Sequence, residues 1–176
     1  FDNATPTQVQ VGGRALDADP QQILLSPVAL TTGAWFHIIG VIDYTNATGA
    51  IYYNGDLVAS GALTGGFGAA VTANTNSAGG GIGIRTNATQ GMTGFIEDFR
   101  LYSRVIGPGE AKTIATSMGK DSILDGLLHW YPLNDGPPGT ALVSGVNIAA
   151  AEPIVATALG AANFVAGLVT PRMRPL

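Results

Sequence analysis

The dipeptide Asn54-Gly55 sits between two β-prone runs, AIYY at 50–53 and DLVAS at 56–60, and restricts this chain more than any other feature. Such a two-residue connection is a type I′ turn. It needs positive φ at both positions, which Asn and Gly tolerate best. The turn therefore predicts an antiparallel hairpin over 50–60. Directly upstream, residues 35–44 read WFHIIGVIDY, β-branched and aromatic and apolar in both phases. That pattern suits a strand covered on both sides. Helix is the competing reading of this run, but Gly33 precedes it, Gly40 interrupts it and Thr45-Asn46 follows it.

The rest of the chain reads the same way. Only 11% of the 176 residues are charged, under half of the roughly 25% usual in soluble domains. Helical bundles and coiled coils need charged residues on their wet faces, so both are excluded. A mean hydropathy of +0.28 excludes a charged disordered chain. Weaker strands are expected at 7–11, 22–25 and 81–85 (GIGIR). Longer ones are expected at 94–102 (GFIEDFRLY) and 127–133 (LLHWYPL), the last ended or held at an edge by Pro132. Residues 61–81, rich in Gly, Ala, Thr and Asn, read as a long surface loop, and 134–138 as a turn cluster.

One short helix is expected near residues 108–118. Pro108 occupies its first turn, and Glu110 lies near the positive end of its dipole. Ala111, Ile114, Ala115 and Met118 share one face, and Gly119 is placed to stop it. From residue 140 onward the chain is Ala, Val, Gly and Leu, charged only at Glu152, Arg172 and Arg174. The expected organisation is a β-sandwich over 1–139 and an apolar, extended C-terminal arm over 140–176 with one or two strands.

Charge and cysteine content narrow the partners. Net charge is −4 with eight scattered Lys and Arg, too few for the basic stripe that phosphate binding requires, so no nucleic-acid partner is expected. With no Cys, disulfides and thiolate metal sites are excluded. No apolar run approaches the ~18 residues of a membrane helix, and no membrane partner is expected. The opening Phe1-Asp2-Asn3 has neither an initiator Met nor a signal-peptide layout, which suits a processed product or part of something longer.

Four segments in order, within 29–136, resemble one family. AWFHIIGVIDY is similar to the W-x-H strand of laminin G-like domains, and IYYNGDLVASG to their N-G hairpin. GFIEDFRLYSRVIGPGEAKTI resembles their G-x-I-D-D-F-R-I-Y-N-R segment. LLHWYPLNDG resembles a segment found downstream in bacteriophage versions of the domain, and the final PRMRPL resembles the ends of such phage proteins. The resemblance implies an all-β, concanavalin A-like jelly-roll β-sandwich. The strands ahead of Trp35 are short for that family, which fits either a reduced sandwich or one completed by residues upstream of Phe1.

No catalytic, cofactor-binding or metal residues are assigned. Glycosidases on this sandwich carry carboxylates at alternating positions of one strand, so that both reach one sugar ring. Here Glu97 and Asp98 are adjacent and aim at opposite faces; Asp98 and Arg100 share a face, as an ion pair would. His37 and His129 read as packing residues, and Trp35 and Trp130 as core. Asp43 with Asn46, or Asp56, would serve the calcium that the resemblance brings with it, but no dense oxygen cluster surrounds them. Gly79-Gly80-Gly81-Ile82-Gly83 lacks the helix a nucleotide loop needs. Asn3, Asn46 and Asn87 each open an Asn-Ala-Thr acceptor sequence.

The expectation is a non-catalytic structural or attachment module of a bacteriophage virion: capsid decoration, spike or fibre. Its partners would be the phage capsid or neighbouring virion subunits, in a homo-oligomer. The alternative is a carbohydrate-binding module of a phage receptor-binding or secreted bacterial protein, with a surface glycan as partner.

Overall fold

In the structure, a computed structural model that describes residues 8–14, 21–31, 33–63, 82–83, 94–133, 144–146 and 155–157, Asn54 and Gly55 take φ of 51° and 85°. This is the type I′ turn the sequence predicts. It joins β4 (Thr48–Tyr53) to β5 (Asp56–Ala62), with Tyr53 opposite Asp56. β3 (Ile38–Asp43) pairs antiparallel along the other edge of β4, so the sheet runs β3-β4-β5. Asn54 also ties the turn to the start of β3. Its N–H donates to the His37 carbonyl at 2.8 Å, and its Oδ1 accepts the His37 N–H at 2.8 Å.

Chain contacts divide the molecule into two compact units, Phe1–Ser77 with Arg104–Thr116, and Ala78–Ser103 with Ser117–Leu176. In the first, β1 (Gln8–Gly13) and β2 (Gln22–Ala29) form an antiparallel hairpin. It lies across one face of β3-β4-β5. A close approach fixes this contact, because a Cβ at Gly40 would stand 3.0 Å from Val11 Cγ2. Leu63 is buried there with Leu24, Ile42, Tyr44 and Ala47 around it. Period two puts Gly49 and Ile51 on this inner face, and Ile51 is fully buried. One such side chain contributes about 1.5–3 kcal/mol. Two packed antiparallel sheets are the sandwich arrangement expected from the sequence.

β2 runs past Pro27, four residues beyond the sequence expectation. A register shift between Gln8 and Gln10 leaves room for a residue that cannot donate to the ladder. Ser26 Oγ accepts the Val28 N–H at 3.0 Å across the same irregularity. β3, by contrast, starts only at Ile38. Trp35 precedes it and is 42% exposed, so the core role expected for Trp35 is incorrect.

The helix forms as α1, Pro108–Ser117. Gly107 accepts its first bond, from the Ala111 N–H at 2.9 Å, and Glu110 reaches back to the Gly107 N–H at 3.1 Å. This is the reciprocal half of a capping box, placed by Glu at the third helical position. Arg104 grips the same carboxylate with both terminal nitrogens. Ala111 and Ile114 are buried as the spacing predicts. Met118 is not: it takes φ of 49° one residue before Gly119, which ends the helix early and leaves Met118 57% exposed.

In the second unit, β6 (Phe99–Tyr102) pairs with β7 (Leu127–Tyr131), and β8 (Ser144–Val146) with β9 (Val155–Thr157), all antiparallel. β7 stops before Pro132, as expected. β6 is shorter than the 94–102 run suggests, because Asp98 takes φ of 57° and breaks the extended chain just ahead of Phe99. Ile82 and Gly83 form a bend, and the remainder of the expected 81–85 strand lies outside the described residues, as do 64–81, 134–140 and most of the C-terminal arm.

The turn and the helix meet at Gly55. A Cβ there would come within 3.0 Å of Lys112 Cα and 3.1 Å of the Ala115 Cβ. Gly55→Ala therefore combines a left-handed backbone penalty of about 1–2 kcal/mol with a clash against helix backbone. Equilibrium urea unfolding should show a loss of at least about 2 kcal/mol, with the β content of the folded state unchanged.

Candidate functional site

The face of β3-β4-β5 turned away from the β1–β2 hairpin carries an open groove of about 390 Å³. Cross-strand pairing decides who lines it. Val41 stands opposite Ala50 and Asp43 opposite Thr48, while Ser60 stands opposite Ala50 and Ala62 opposite Thr48. Directly opposed residues share a face, so these side chains all project to one side, with Tyr52 next along β4. Val105 and Ile106, just ahead of α1, complete the lining. Val41, Tyr52 and Ile106 are buried and make an apolar base. Asp43, Thr48 and Ser60 bring a carboxylate and two hydroxyls.

Asp43 is set by its own turn. Its Oδ1 accepts the Asn46 N–H at 3.0 Å and its Oδ2 the Asn46 Nδ2–H at 2.7 Å. Those bonds hold its carboxyl below the ordinary 3.8. Burial pushes the Tyr52 phenol up, so it stays a neutral donor and acceptor. Asp43 and Asn46 are thus brought together, as the sequence suggested. They do not make a calcium cage. Asn46 turns its donors toward Asp43, Asp56 is bound to Lys112 at 2.7 Å, and among the described residues no three His, Asp or Glu gather.

The Glu97-Asp98 pair occupies a different setting. Asp98 Oδ1 accepts Arg100 Nε–H at 2.8 Å and Trp130 Nε1–H at 2.6 Å, and its Oδ2 accepts Arg100 Nη2–H at 3.0 Å. Arg100 Nη1 donates to both oxygens of Asp121 at 2.9 Å. The guanidinium lies 4.3 Å over the Trp130 ring. The Arg100 side chain is 4% exposed and that of Asp121 0%. The expected Asp98–Arg100 ion pair is present, and Trp130 is core as expected. Asp121, Tyr102 and Ser117 escaped the sequence reading. Ser117 Oγ donates to Asp121 at 2.9 Å and the Tyr102 hydroxyl to the Ile123 carbonyl at 2.9 Å. A polar residue buried four positions past a helix end leaves no periodic signal.

The histidines are half-buried packing residues. His37 backs the Asn54 turn, and the His129 ring stacks on Tyr131 at 6.3 Å. Asn46 is exposed in the β3–β4 turn; Asn3 and Asn87 lie outside the described residues.

Residues 1–112 match the Laminin_G_3 family model, described as the concanavalin A-like lectin/glucanases superfamily. The chain belongs to this family. Its fold is like that of a "putative carbohydrate binding protein" from Bacteroides ovatus, with a TM-score of 0.56 at 16% identity over 89% of this chain and 51% of that one. An S-layer domain-containing protein from Clostridium thermocellum aligns with a TM-score of 0.40 at 23% identity, over 62% of this chain and 52% of the other. The chain thus spans about half the length of each. A comparison with curated proteins found no match.

Within this laminin G-like domain, the D-F-R-x-Y and R-x-x-x-x-x-E residues of 98–110 are architectural. Asp98 and Arg100 join β6 to β7 through Trp130, Tyr102 fastens the 123 loop, and Arg104 clamps the helix start. Burial alone would raise Asp121, but the Arg100 guanidinium, the Ile123 N–H and Ser117 outweigh it and hold the carboxyl below 3.8. A carboxyl lowered on folding stabilises the native state above its unfolded value and loses that contribution as pH falls through its folded value. Stability should therefore be flat from neutrality to about pH 5 and decline below about pH 4. Arg100→Met would strand buried carboxylates at a cost of about 3–5 kcal/mol. Chemical unfolding across a pH series should show that loss at neutral pH and a shrinking difference from the wild type toward acid, as the stranded carboxylates take up protons.

Proposed function

We propose that this laminin G-like domain is a non-catalytic carbohydrate-binding module, and that the groove on β3-β4-β5 holds the sugar. The observation that carries this reading is the lining itself. Sugars offer apolar C–H faces edged with hydroxyls, and the groove has an apolar base at Val41, Tyr52 and Ile106. Hydroxyls and a carboxylate stand at Thr48, Ser60 and Asp43. Membership of a lectin and glucanase superfamily and the carbohydrate-binding description of the Bacteroides ovatus structure support it. A non-catalytic role is supported by Asp98, whose two oxygens are both taken up by Arg100 and Trp130.

The setting we propose is a bacteriophage particle, where such a module would attach the virion to a surface glycan as a spike, fibre or capsid decoration. The similarity of LLHWYPLNDG to phage versions of the domain supports this, and the apolar 140–176 segment suits contact with the capsid or a second copy. Peptides of this chain in purified virions, and an oligomeric mass by light scattering, are the expected results.

The groove is tested by closing it. Ser60 is exposed on β5 with its side chain on the groove side. Ser60→Trp should leave the thermal midpoint nearly unchanged and weaken glycan binding by about tenfold or more, worth ~1.4 kcal/mol. Calorimetric titration of glycan-array hits reads this directly; unchanged affinity places the sugar elsewhere.

A further inference from the structure

Charge in and around the groove is one-sided. Among its described lining residues Asp43 alone is charged, and both its oxygens already accept bonds from Asn46. A carboxylate so placed can take further donors but has none to give. The cations described nearby are neutralised by other partners. Arg104, beside Val105, is held by both oxygens of Glu110, and Lys112 is drawn to Asp56 at the opposite end of β5 from Ala62. Among the described lining residues nothing compensates an incoming negative charge.

We infer that the groove selects neutral and amino sugars and rejects anionic ones, with Asp43 as the residue that sets the selection. The inference rests on the carbohydrate-binding reading above and names the ligand class of that same site. A hydroxyl or ammonium of the sugar donates to the remaining lone pairs of Asp43. A uronate, sialate or sulfate brings an acceptor against an acceptor and like charge against like charge in an open groove edged by the exposed Thr48 and Ser60, a repulsion that is largest at low ionic strength. Thr48 and Ser60 recognise hydroxyls of any glycan, so the discrimination falls to Asp43.

The test uses the full chain on an array of β-1,4-linked hexamers of glucose, glucosamine and glucuronate beside neutral, sialylated and sulfated glycans. The expected result, at low ionic strength, is binding among neutral or amino glycans, with uronate, sialylated and sulfated members about fivefold weaker. Asp43→Asn keeps an acceptor for the Asn46 N–H and should narrow that gap. Thr48→Lys, at an exposed lining position, should narrow it independently, so a poorly folded Asp43 variant does not decide the matter. Equal binding of neutral and anionic glycans by the wild type overturns the selection and leaves the carbohydrate reading intact, as does a gap that neither variant changes. Preferred anionic binding also overturns it. Binding to no glycan overturns both.

Discussion

The close approach of α1 to the β4–β5 turn is the contact on which the first unit depends. It is possible only because residue 55 has no side chain and accepts a positive φ. One residue thus meets two demands, a type I′ turn and a helix backbone packed against it. Lys112 and Ala115 sit on that turn, and Glu110, one turn earlier, anchors Gly107 and Arg104. The Val105-Ile106 segment between those anchors borders the groove. A local rule of turn chemistry therefore reaches the putting-together of the site through a short, well-capped helix.

The second unit relies on a different device. Arg100 is enclosed by Asp98, Asp121 and the Trp130 ring, and all of its guanidinium nitrogens are bonded. Buried ion pairs add little over apolar packing, but they are costly to break from one side. Their effect here is to fix geometry: β6 to β7 through Trp130, and the segment after α1 through Asp121, Ile123 and Ser117. Asp98, Arg100 and Asp121 thereby hold the fold together.

Much of this architecture was legible in the residues. Asn54-Gly55, the Pro108–Glu110 helix start, the Asp98–Arg100 pair and a strand ending at Pro132 each follow from local rules, and each is found. The departures share a cause. Trp35 and the 94–98 run look like strand by composition, but backbone conformation at Gly33, Gly94 and Asp98 breaks the extension before the apolar residues reach the core. Met118 fits the helix period yet lies past the helix end. The groove was not foreseen at all. Thr48, Ser60 and Ala62 are ordinary alternating strand residues, and only the register of β3 and β5 on β4 brings them together with Asp43.

The proposed sugar site lies on this face of the sheet. Backbone amide chemical shifts, followed by NMR during titration with neutral oligosaccharides, test it most directly. Saturable shifts are expected at Asp43, Thr48, Ala50, Ser60 and Ala62, with the β1–β2 hairpin unmoved. Shifts centred instead on Trp35 or on the β6–β7 pair, with the groove residues silent, would contradict it.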